Sequence, residues 1–253
     1  MKRKYEIAVL SKGAFARTVR IFAPKKADRA IIMHDGQNVF YDEDATYKKS
    51  WRAIDMLKAA EIKNTAIIGI DSAVTRNDDY LPFPPENAES YSIKLVGGGK
   101  ADVYMDYIEQ IILPYLDKRF GYKFYGMLGS SAGGLATLYF AARKNARLRA
   151  YGMFSTPLFV SPTAFGKFFG SATFDKDAYY KVYVGGSECT GEVPTALKDK
   201  ETQLFVTDSY TITDTLRNSG VKNLDLTVTN TSGHDEAAWR EPELDFFKKF
   251  SRL

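Results

Sequence analysis

The chain has 253 residues and carries 35 lysines and arginines against 31 aspartates and glutamates, a net charge of +4. Its single cysteine excludes the disulfide-rich secreted class and cysteine-based zinc or iron–sulfur sites. No apolar run approaches the roughly 20 residues that cross a bilayer, and the two charge signs are mixed, so we expect neither membrane insertion nor nucleic-acid binding. The basic N-terminus lacks the apolar core of a signal peptide, which predicts a cytoplasmic protein.

Short β-branched and aromatic runs alternate with runs of helical period along the chain. The expected strands cover residues 5–10, 18–22, 30–33, 65–70, 124–128, 150–154, 181–184 and 224–228. The expected helices cover residues 50–60, 101–119, 131–145, 209–219 and 235–250. This alternation predicts one α/β domain over residues 1–253, with a mostly parallel eight-stranded sheet, an antiparallel N-terminal edge and helices on both faces. Functional groups are then expected at the carboxyl ends of the strands.

The strongest chemical signal is a G-x-S-x-G motif that runs from Gly129 to Gly133, with Ser131 at its centre. It lies between the expected strand 124–128 and a helical run over residues 135–143. A tight strand-to-helix turn strains the backbone at the central serine, and the flanking glycines let strand and helix pack closely. The motif predicts Ser131 as an exposed nucleophile, and the alternative is a Gly/Ser turn without chemistry.

A serine hydroxyl is a poor nucleophile near neutral pH and needs a base, for which histidine has the suitable pKa. The chain contains only His34 and His234. Where such a motif carries a catalytic triad, the residues follow in the order serine, acid, histidine. Because only His234 follows Ser131, it is the predicted base, and the alternative is a structural histidine at a helix N-terminus.

The acid that orients the base should lie between the serine and the histidine, at the carboxyl end of a strand. Glu188 meets this condition, because it follows the expected strand 181–184 through a Gly-Gly turn. Asp175 and Asp177 precede that strand, at the wrong end of the sheet. Asp208 precedes the next expected helix, where N-terminal capping explains it better. We therefore expect Glu188 to be the acid.

Ester or acyl chemistry at a serine also needs donors for the developing oxyanion. One is expected to be the backbone N–H of Ala132, which follows the nucleophile, and the other should come from the loop after the third strand. In that loop the N–H of Gln37 is the first candidate and that of Gly36 the second. His34 and Asp35 precede them and are candidates for the pocket, with His34 more simply a buried support of the loop.

Two long connections, residues 71–100 and 155–180, interrupt the alternation of strands and helices. Loops of this length in a compact domain are usually functional. In the first, Arg76 and Tyr80 are candidates for contacts with polar substrate groups, and a salt bridge that stabilises the loop is the alternative. In the second, Phe159 belongs to a phenylalanine-rich run that forms either a pocket wall or ordinary packing on the sheet.

The quoted motifs resemble the Putative esterase family of α/β-hydrolases, which includes esterase D-type and enterochelin esterase-like enzymes. The matching stretches are MHDGQNVF at 33–40, IDSAVTRNDDYLPF at 70–83, GGGKADVYMDYIEQIILPYLDKRF at 97–120, GSSAGGLATLYF at 129–140, VYVGGSE at 182–188 and GHDEAAW at 233–239. They span nearly the whole chain in the family's order. The resemblance therefore implies the α/β-hydrolase fold.

Carried onto these positions, the resemblance implies Ser131 as nucleophile, Glu188 as acid, His234 as base and an oxyanion loop after Met33. Family members often have methionine where this chain has Ala132, but the donor there is a backbone N–H, so the change should not impair it. The expected activity is hydrolysis of small carboxylic esters through an acyl-enzyme, with no metal or cofactor. The alternatives are acyl transfer on the same triad, thioester hydrolysis of the S-formylglutathione type, and a non-catalytic binding protein.

Overall fold

The computed structural model describes residues 3–86, 91, 95–189 and 194–253. Within them the strands are β1 (Glu6–Lys12), β2 (Phe15–Phe22), β3 (Arg29–His34), β4 (Thr65–Ile70), β5 (Tyr125–Ser130), β6 (Leu148–Phe154), β7 (Tyr179–Val184) and β8 (Asn223–Val228). The helices are α1 (Ala53–Ala59), α2 (Arg76–Tyr80), α3 (Ala101–Tyr107), α4 (Leu113–Phe120), α5 (Ala132–Ala141), α6 (Pro162–Ser171), α7 (Thr195–Asn218) and α8 (Arg240–Phe250). All eight predicted strands are confirmed, with small shifts at their ends.

The strands form one sheet in the order β1-β2-β4-β3-β5-β6-β7-β8. The pairs β1–β2 and β2–β4 are antiparallel, and every later pair is parallel. Every residue of β4 is buried, as its continuous apolar sequence predicts for a strand covered on both faces. The predicted fold class, a mostly parallel sheet with an antiparallel N-terminal edge, is therefore confirmed.

Side chains that alternate along the central strands divide the core between the two faces of the sheet. In β3, Ile31 and Met33 join the cluster that contains residues of α1 and α8. Ala30 and Ile32 join the opposite cluster, which contains residues of α3, α5 and α7. Helices thus cover both faces, and the carboxyl ends of the parallel strands share one edge.

The helices depart from the sequence expectation where apolar periodicity is weak. Helix α7 begins at Thr195 instead of residue 209, because its polar first half offers no apolar stripe to recognise. Helices α2 and α6 lie inside the two connections that the sequence assigned to loops. Within the first connection, residues 87–90 and 92–94 lie outside the described residues. The long loops are therefore partly helical.

The expected helix 101–119 is divided by a π-helical turn over Ile108–Ile112. Pro114 lies in the first turn of α4, directly after it. Proline has no N–H to donate and its ring crowds the preceding turn, so a wider turn accommodates it. The other boundary changes are shorter: α5 ends at Ala141 rather than residue 145, and α8 begins at Arg240 after a turn.

Glu243 is a buried carboxyl group in the first turn of α8. Its exposed fraction is 0%, and neither of its carboxyl oxygens has a hydrogen-bond partner among the described residues. Burial raises its pKa well above the ordinary value, although the charge of Arg240 opposes this. The folded chain therefore holds a proton on this group that the unfolded chain releases near pH 4.5, so Glu243 makes folding less favourable as the pH rises above that value.

Replacing this carboxyl should stabilise the protein. Glu243→Met removes an unpaired polar group at similar volume, and we expect the free energy of unfolding to rise by about 1–3 kcal/mol at pH 8. The gain should shrink at pH 5, where the wild-type carboxyl binds its proton at lower cost. Urea unfolding at the two pH values measures both effects, with Glu241→Gln, an exposed carboxyl in the same helix, as the control. A gain that is absent at pH 8, or larger at pH 5, would contradict the prediction.

Candidate active site

Ser131 is the one residue between β5 and α5, and it lies at the edge of the sheet where the parallel strands end. Its backbone has φ 54° and ψ −126°, a region that non-glycine residues rarely occupy. Such a conformation costs about 1–3 kcal/mol and persists only where the surroundings impose it. Here the N–H of Ser131 donates to the carbonyl of Phe154 at 2.8 Å, which ties the turn to β6. The strained serine turn that the motif predicts is therefore present.

The glycines of the motif allow strand and helix to approach closely. A Cβ on Gly129 would lie 2.3 Å from the carbonyl oxygen of Gly133 and 2.7 Å from a ring carbon of His34. No other residue fits this position without moving the backbone. The turn can therefore hold Ser131 at the sheet edge only with glycine at this position.

His234 and Glu188 meet on two adjacent loops that follow β8 and β7. An isolated parallel bridge joins Ser187 to Gly233, and it places the two side chains beside each other. The Nδ1–H of His234 donates to Glu188 Oε2 at 2.7 Å. The loops after neighbouring parallel strands thus bring together residues that lie far apart in sequence.

Both oxygens of Glu188 are occupied by donors. Oε1 accepts from the hydroxyl of Ser155 at 2.7 Å and from the N–H of Gly185 at 2.5 Å, while Oε2 accepts from His234. The carboxyl side chain is buried. Because a carboxylate can only accept, Nδ1 of His234 carries a proton, and in the neutral imidazole Nε2 is then the acceptor. That is the tautomer that a general base requires.

Ser155 and Trp239 extend this hydrogen-bond network, and the sequence did not point to either. The indole Nε1–H of Trp239 donates to Ser155 Oγ at 2.9 Å. The indole ring also meets the His234 ring edge-on, with centroids 5.1 Å apart. Trp239 is both buried and part of the pocket wall. The only signal for it was its place in the stretch GHDEAAW.

Ser131 and His234 face one pocket of about 720 Å³, a size that suits a small molecule. The pocket is lined by Asp35, Gln37, Asn38, Thr46, Tyr47, Lys49, Ser72, Arg76, Ser130, Ser131, His234, Asp235, Glu236 and Trp239. Within the described part of the chain, no hydrogen bond joins the Ser131 hydroxyl to His234. Hydrogen bonds of this kind often tighten only when substrate is bound.

The candidate oxyanion loop follows β3 as a 3₁₀ turn over Gly36–Asn38. A Cβ on Gly36 would lie 2.5 Å from the carbonyl carbon of Gly69, so the turn rests directly on β4. The side chain of Gln37 donates to Ser72 Oγ at 2.8 Å and accepts from the Ser72 N–H at 3.0 Å. Gln37 is thus held at the pocket wall, whereas Gly36 is buried.

Ala132 is the first residue of α5, and its side chain is buried. The N–H groups in the first turn of a helix have no acceptor within that helix, so they are available to a ligand. Their alignment also gives this end of the helix a partial positive charge. The N–H of Ala132 thus belongs to a helix end that favours a developing negative charge beside Ser131.

Asp35 and Arg76 form a two-pronged ion pair at the pocket wall. The guanidinium donates Nε–H to Asp35 Oδ1 and Nη2–H to Oδ2, both at 2.8 Å. Burial raises the pKa of Asp35, but the charge and hydrogen bonds of Arg76 outweigh it and hold the pKa below its ordinary value. The N–H of Asp35 donates to Tyr80 OH at 2.9 Å, and Tyr80 is buried behind the pair. Arg76 therefore joins α2 to the loop after β3.

His34 is buried beneath the nucleophile turn instead of lining the pocket. Its Nδ1 lies 3.0 Å from the hydroxyl of Tyr104. Burial lowers its pKa to about 4, so the ring is neutral at pH 7. It lies directly beside Gly129 and Gly133 of the serine turn.

Phe159 is buried and lies behind His234. Its ring packs edge-on against Phe205, with centroids 5.0 Å apart, and the ring of Phe205 lies 5.1 Å from that of His234. The backbone N–H of Phe159 donates to Asp208 Oδ2 at 2.7 Å. The sequence placed Asp208 at a helix start, but it lies inside α7, and burial raises its pKa to about 7. Phe159 thus packs against the ring that contacts His234.

A strained serine turn, a buried carboxylate–histidine pair and a glycine-bearing loop at one sheet edge are typical of α/β-hydrolases. The family model described as "Putative esterase" matches residues 16–244, so the chain belongs to that family. The protein is therefore a carboxylic ester hydrolase of the α/β class that acts on small-molecule esters. No curated protein sequence matches the chain.

Solved structures share the fold at low sequence identity. An IroE-like serine hydrolase from Shewanella oneidensis is 17% identical, with 98% of this chain and 80% of that one covered and a TM-score of 0.72. The siderophore hydrolase EstA from Aspergillus nidulans is 18% identical, with 99% and 95% covered and a TM-score of 0.75. The enterobactin esterase FES from Shigella flexneri is 12% identical, with 100% and 60% covered and a TM-score of 0.72.

The described residues also bear on membranes and metals. In the part of the chain that the structure covers, no helix combines the length and apolar composition of a membrane span. Among the same residues, no group of three or more His, Cys, Asp and Glu side chains is arranged to hold a metal ion.

Proposed function

We propose that the protein is a serine esterase that cleaves carboxylic esters through an acyl-enzyme on a triad of Ser131, His234 and Glu188. The hydrogen bond from His234 Nδ1 to Glu188 Oε2 carries this proposal, because it leaves Nε2 as the acceptor for a proton. The acid is held from its other side by Ser155 and Gly185, so the base has a defined orientation. The strained turn presents Ser131 to the same pocket.

In the first half-reaction Ser131 Oγ attacks the ester carbonyl carbon while its proton moves to His234 Nε2. The carbonyl oxygen becomes an oxyanion, and the N–H groups of Ala132 and Gln37 are the proposed donors to it. The intermediate then collapses, the bond to the alcohol oxygen breaks, and His234 returns the proton to the leaving alcohol. Glu188 stabilises the imidazolium and stays ionised throughout.

In the second half-reaction water takes the place of the alcohol. The water oxygen attacks the acyl carbon while His234 accepts a proton from the water, and a second tetrahedral intermediate forms. Collapse breaks the bond to Ser131 Oγ, which recovers its proton from His234, and the carboxylic acid leaves. These steps use only side chains of this chain, its backbone N–H groups and one water molecule.

A fluorophosphonate probe tests the nucleophile directly. We expect one covalent adduct per chain, located by mass spectrometry on Ser131, together with a burst of 4-nitrophenol from 4-nitrophenyl butyrate. The neighbouring Ser130 also lines the pocket, so Ser130→Ala is the matched control and should still be labelled. Ser131→Ala should not be labelled. An adduct on Ser130, or labelling that survives in Ser131→Ala, would disprove the assignment.

A further inference from the structure

Most charged side chains that line the pocket are already paired. Asp35 uses both oxygens on Arg76, at 2.8 Å each. Asp235 accepts from the ammonium of Lys49 at 2.8 Å. Glu236 also lines the pocket, but no cation pairs with it among the described residues. The charge of Lys49 acts on Glu236 from a distance, but among the described residues Glu236 is the pocket carboxyl group that forms no ion pair.

The position of Glu236 is set by a polar network. The side chain is only 6% exposed, and Oε1 accepts from Asn38 Nδ2 at 2.8 Å. Asn38 Oδ1 accepts from the N–H of Thr46 at 2.9 Å, which fixes the orientation of the Asn38 amide. The backbone N–H of Glu236 itself also donates to this carboxyl group, but within the described part of the chain no other residue donates to Oε2. A fixed acceptor thus lies at the pocket wall, and its Oε2 receives no hydrogen bond from another described residue.

The local electrostatics favour a positive partner for this carboxyl. Burial raises the pKa of Glu236, and the nearby carboxylates of Asp35 and Asp235 raise it further, against hydrogen bonds from its own backbone N–H and from Asn38. A raised pKa marks a place of negative potential and poor solvation. A cation there would compensate the charge, whereas a neutral donor would supply only a hydrogen bond.

Two aromatic rings also line the pocket. Tyr47 lines the pocket with 78% of its surface exposed, and Trp239 lines it from beside the base. The faces of tyrosine and tryptophan rings attract cations within about 6 Å. An exposed tyrosine at the rim and an unpaired carboxylate inside therefore favour the same kind of ligand.

We propose that the pocket recognises esters that carry a protonated amine, whose N–H donates to Glu236 Oε2. This inference rests on the proposed function for turnover, but binding of an amine at Glu236 can be measured separately. Glu236→Gln keeps an oxygen to accept from Asn38 and removes the charge. Glu241→Gln makes the same change in net charge at an exposed carboxyl on α8, and it is the matched control.

The first experiment measures binding without catalysis. Hexylammonium and 1-hexanol are titrated against the protein, and quenching of tryptophan fluorescence is followed, since the chain has only two tryptophans and Trp239 lines the pocket. We expect the wild type and Glu241→Gln to bind hexylammonium about ten-fold more tightly than hexanol, and Glu236→Gln to lose this difference. Thermal unfolding of each variant verifies the fold. Equal binding of the two probes by the wild type, or a preference that persists in Glu236→Gln, would overturn the inference.

The second experiment asks which side of the ester carries the amine. The kcat/KM for 4-nitrophenyl 6-aminohexanoate is compared with that for the heptanoate, and 6-aminohexyl butyrate is compared with heptyl butyrate. In one of the two pairs, the kcat/KM of the amine-bearing ester should be about ten-fold higher. Glu236→Gln should abolish this preference, and Glu241→Gln should retain it. Turnover without a preference in either pair overturns the inference alone. A hexylammonium preference without turnover of any ester overturns the proposed function alone.

Discussion

Ser131→Ala, His234→Ala and the double variant are each expected to lower kcat for 4-nitrophenyl butyrate by about 10⁴- to 10⁶-fold, with the double variant no slower than the slower single one. The nucleophile and its base act in one step, so removing either removes the step. The residual rate would come from the oxyanion donors and substrate binding. Steady-state kinetics at high enzyme concentration measures the low kcat of all three variants.

The small number of histidines makes the loss of activity in His234→Ala easy to interpret. The chain has only two histidines, and His34 is buried beneath the turn with a low pKa. No other imidazole can therefore replace His234. Additive losses in the double variant would show that the two residues act independently and would contradict the triad. Unfolding measured alongside separates loss of chemistry from loss of structure.

Glu188→Gln is expected to lower kcat by about 10³- to 10⁴-fold with a small change in KM. The amide can present its NH₂ group to Nδ1 of His234, which favours the tautomer with the proton on Nε2. That tautomer cannot accept the proton of Ser131. Stopped-flow measurement of the burst phase isolates the acylation step.

Ser155→Ala provides a graded comparison for the acid. It removes one donor to Glu188 Oε1 and the acceptor of the Trp239 indole, but it leaves the carboxylate in place. We expect about a ten- to hundred-fold loss in kcat, smaller than for Glu188→Gln, in line with losses seen when supporting groups are removed. A Glu188→Gln variant within ten-fold of the wild type would contradict the role of the acid, whatever the result for Ser155→Ala.

Much of the fold could be predicted from local pattern. The strands were predictable because a fully buried parallel strand such as β4 is a short, continuous apolar run. The helices were predictable only where one face is apolar. Helix α7 was recognised over its second half alone, since the first half is polar. Helix α2 is one turn of polar residues, too short to leave a periodic signal.

For the candidate site, the sequence indicated three central residues but not the residues around them. Chain order and residue scarcity pointed to Ser131, His234 and Glu188 without any structure, because a turn motif limits where the partners can lie. The roles of Ser155, Trp239, Asn38 and Glu236 could not be found in this way. None of them belongs to a motif with a mechanism, and each acts through a contact with a residue distant in sequence.

By itself the sequence determined the α/β class, the strained turn at Ser131 and the fact that a single histidine follows that turn. Each depends on local backbone chemistry, on apolar periodicity or on a count of residues. Tertiary structure alone decided which loops meet, and so which tautomer His234 adopts and which pocket charges are paired. Hydrogen bonds and ion pairs act over a few ångströms, and no short-range pattern in the chain records which distant groups folding will bring within that range.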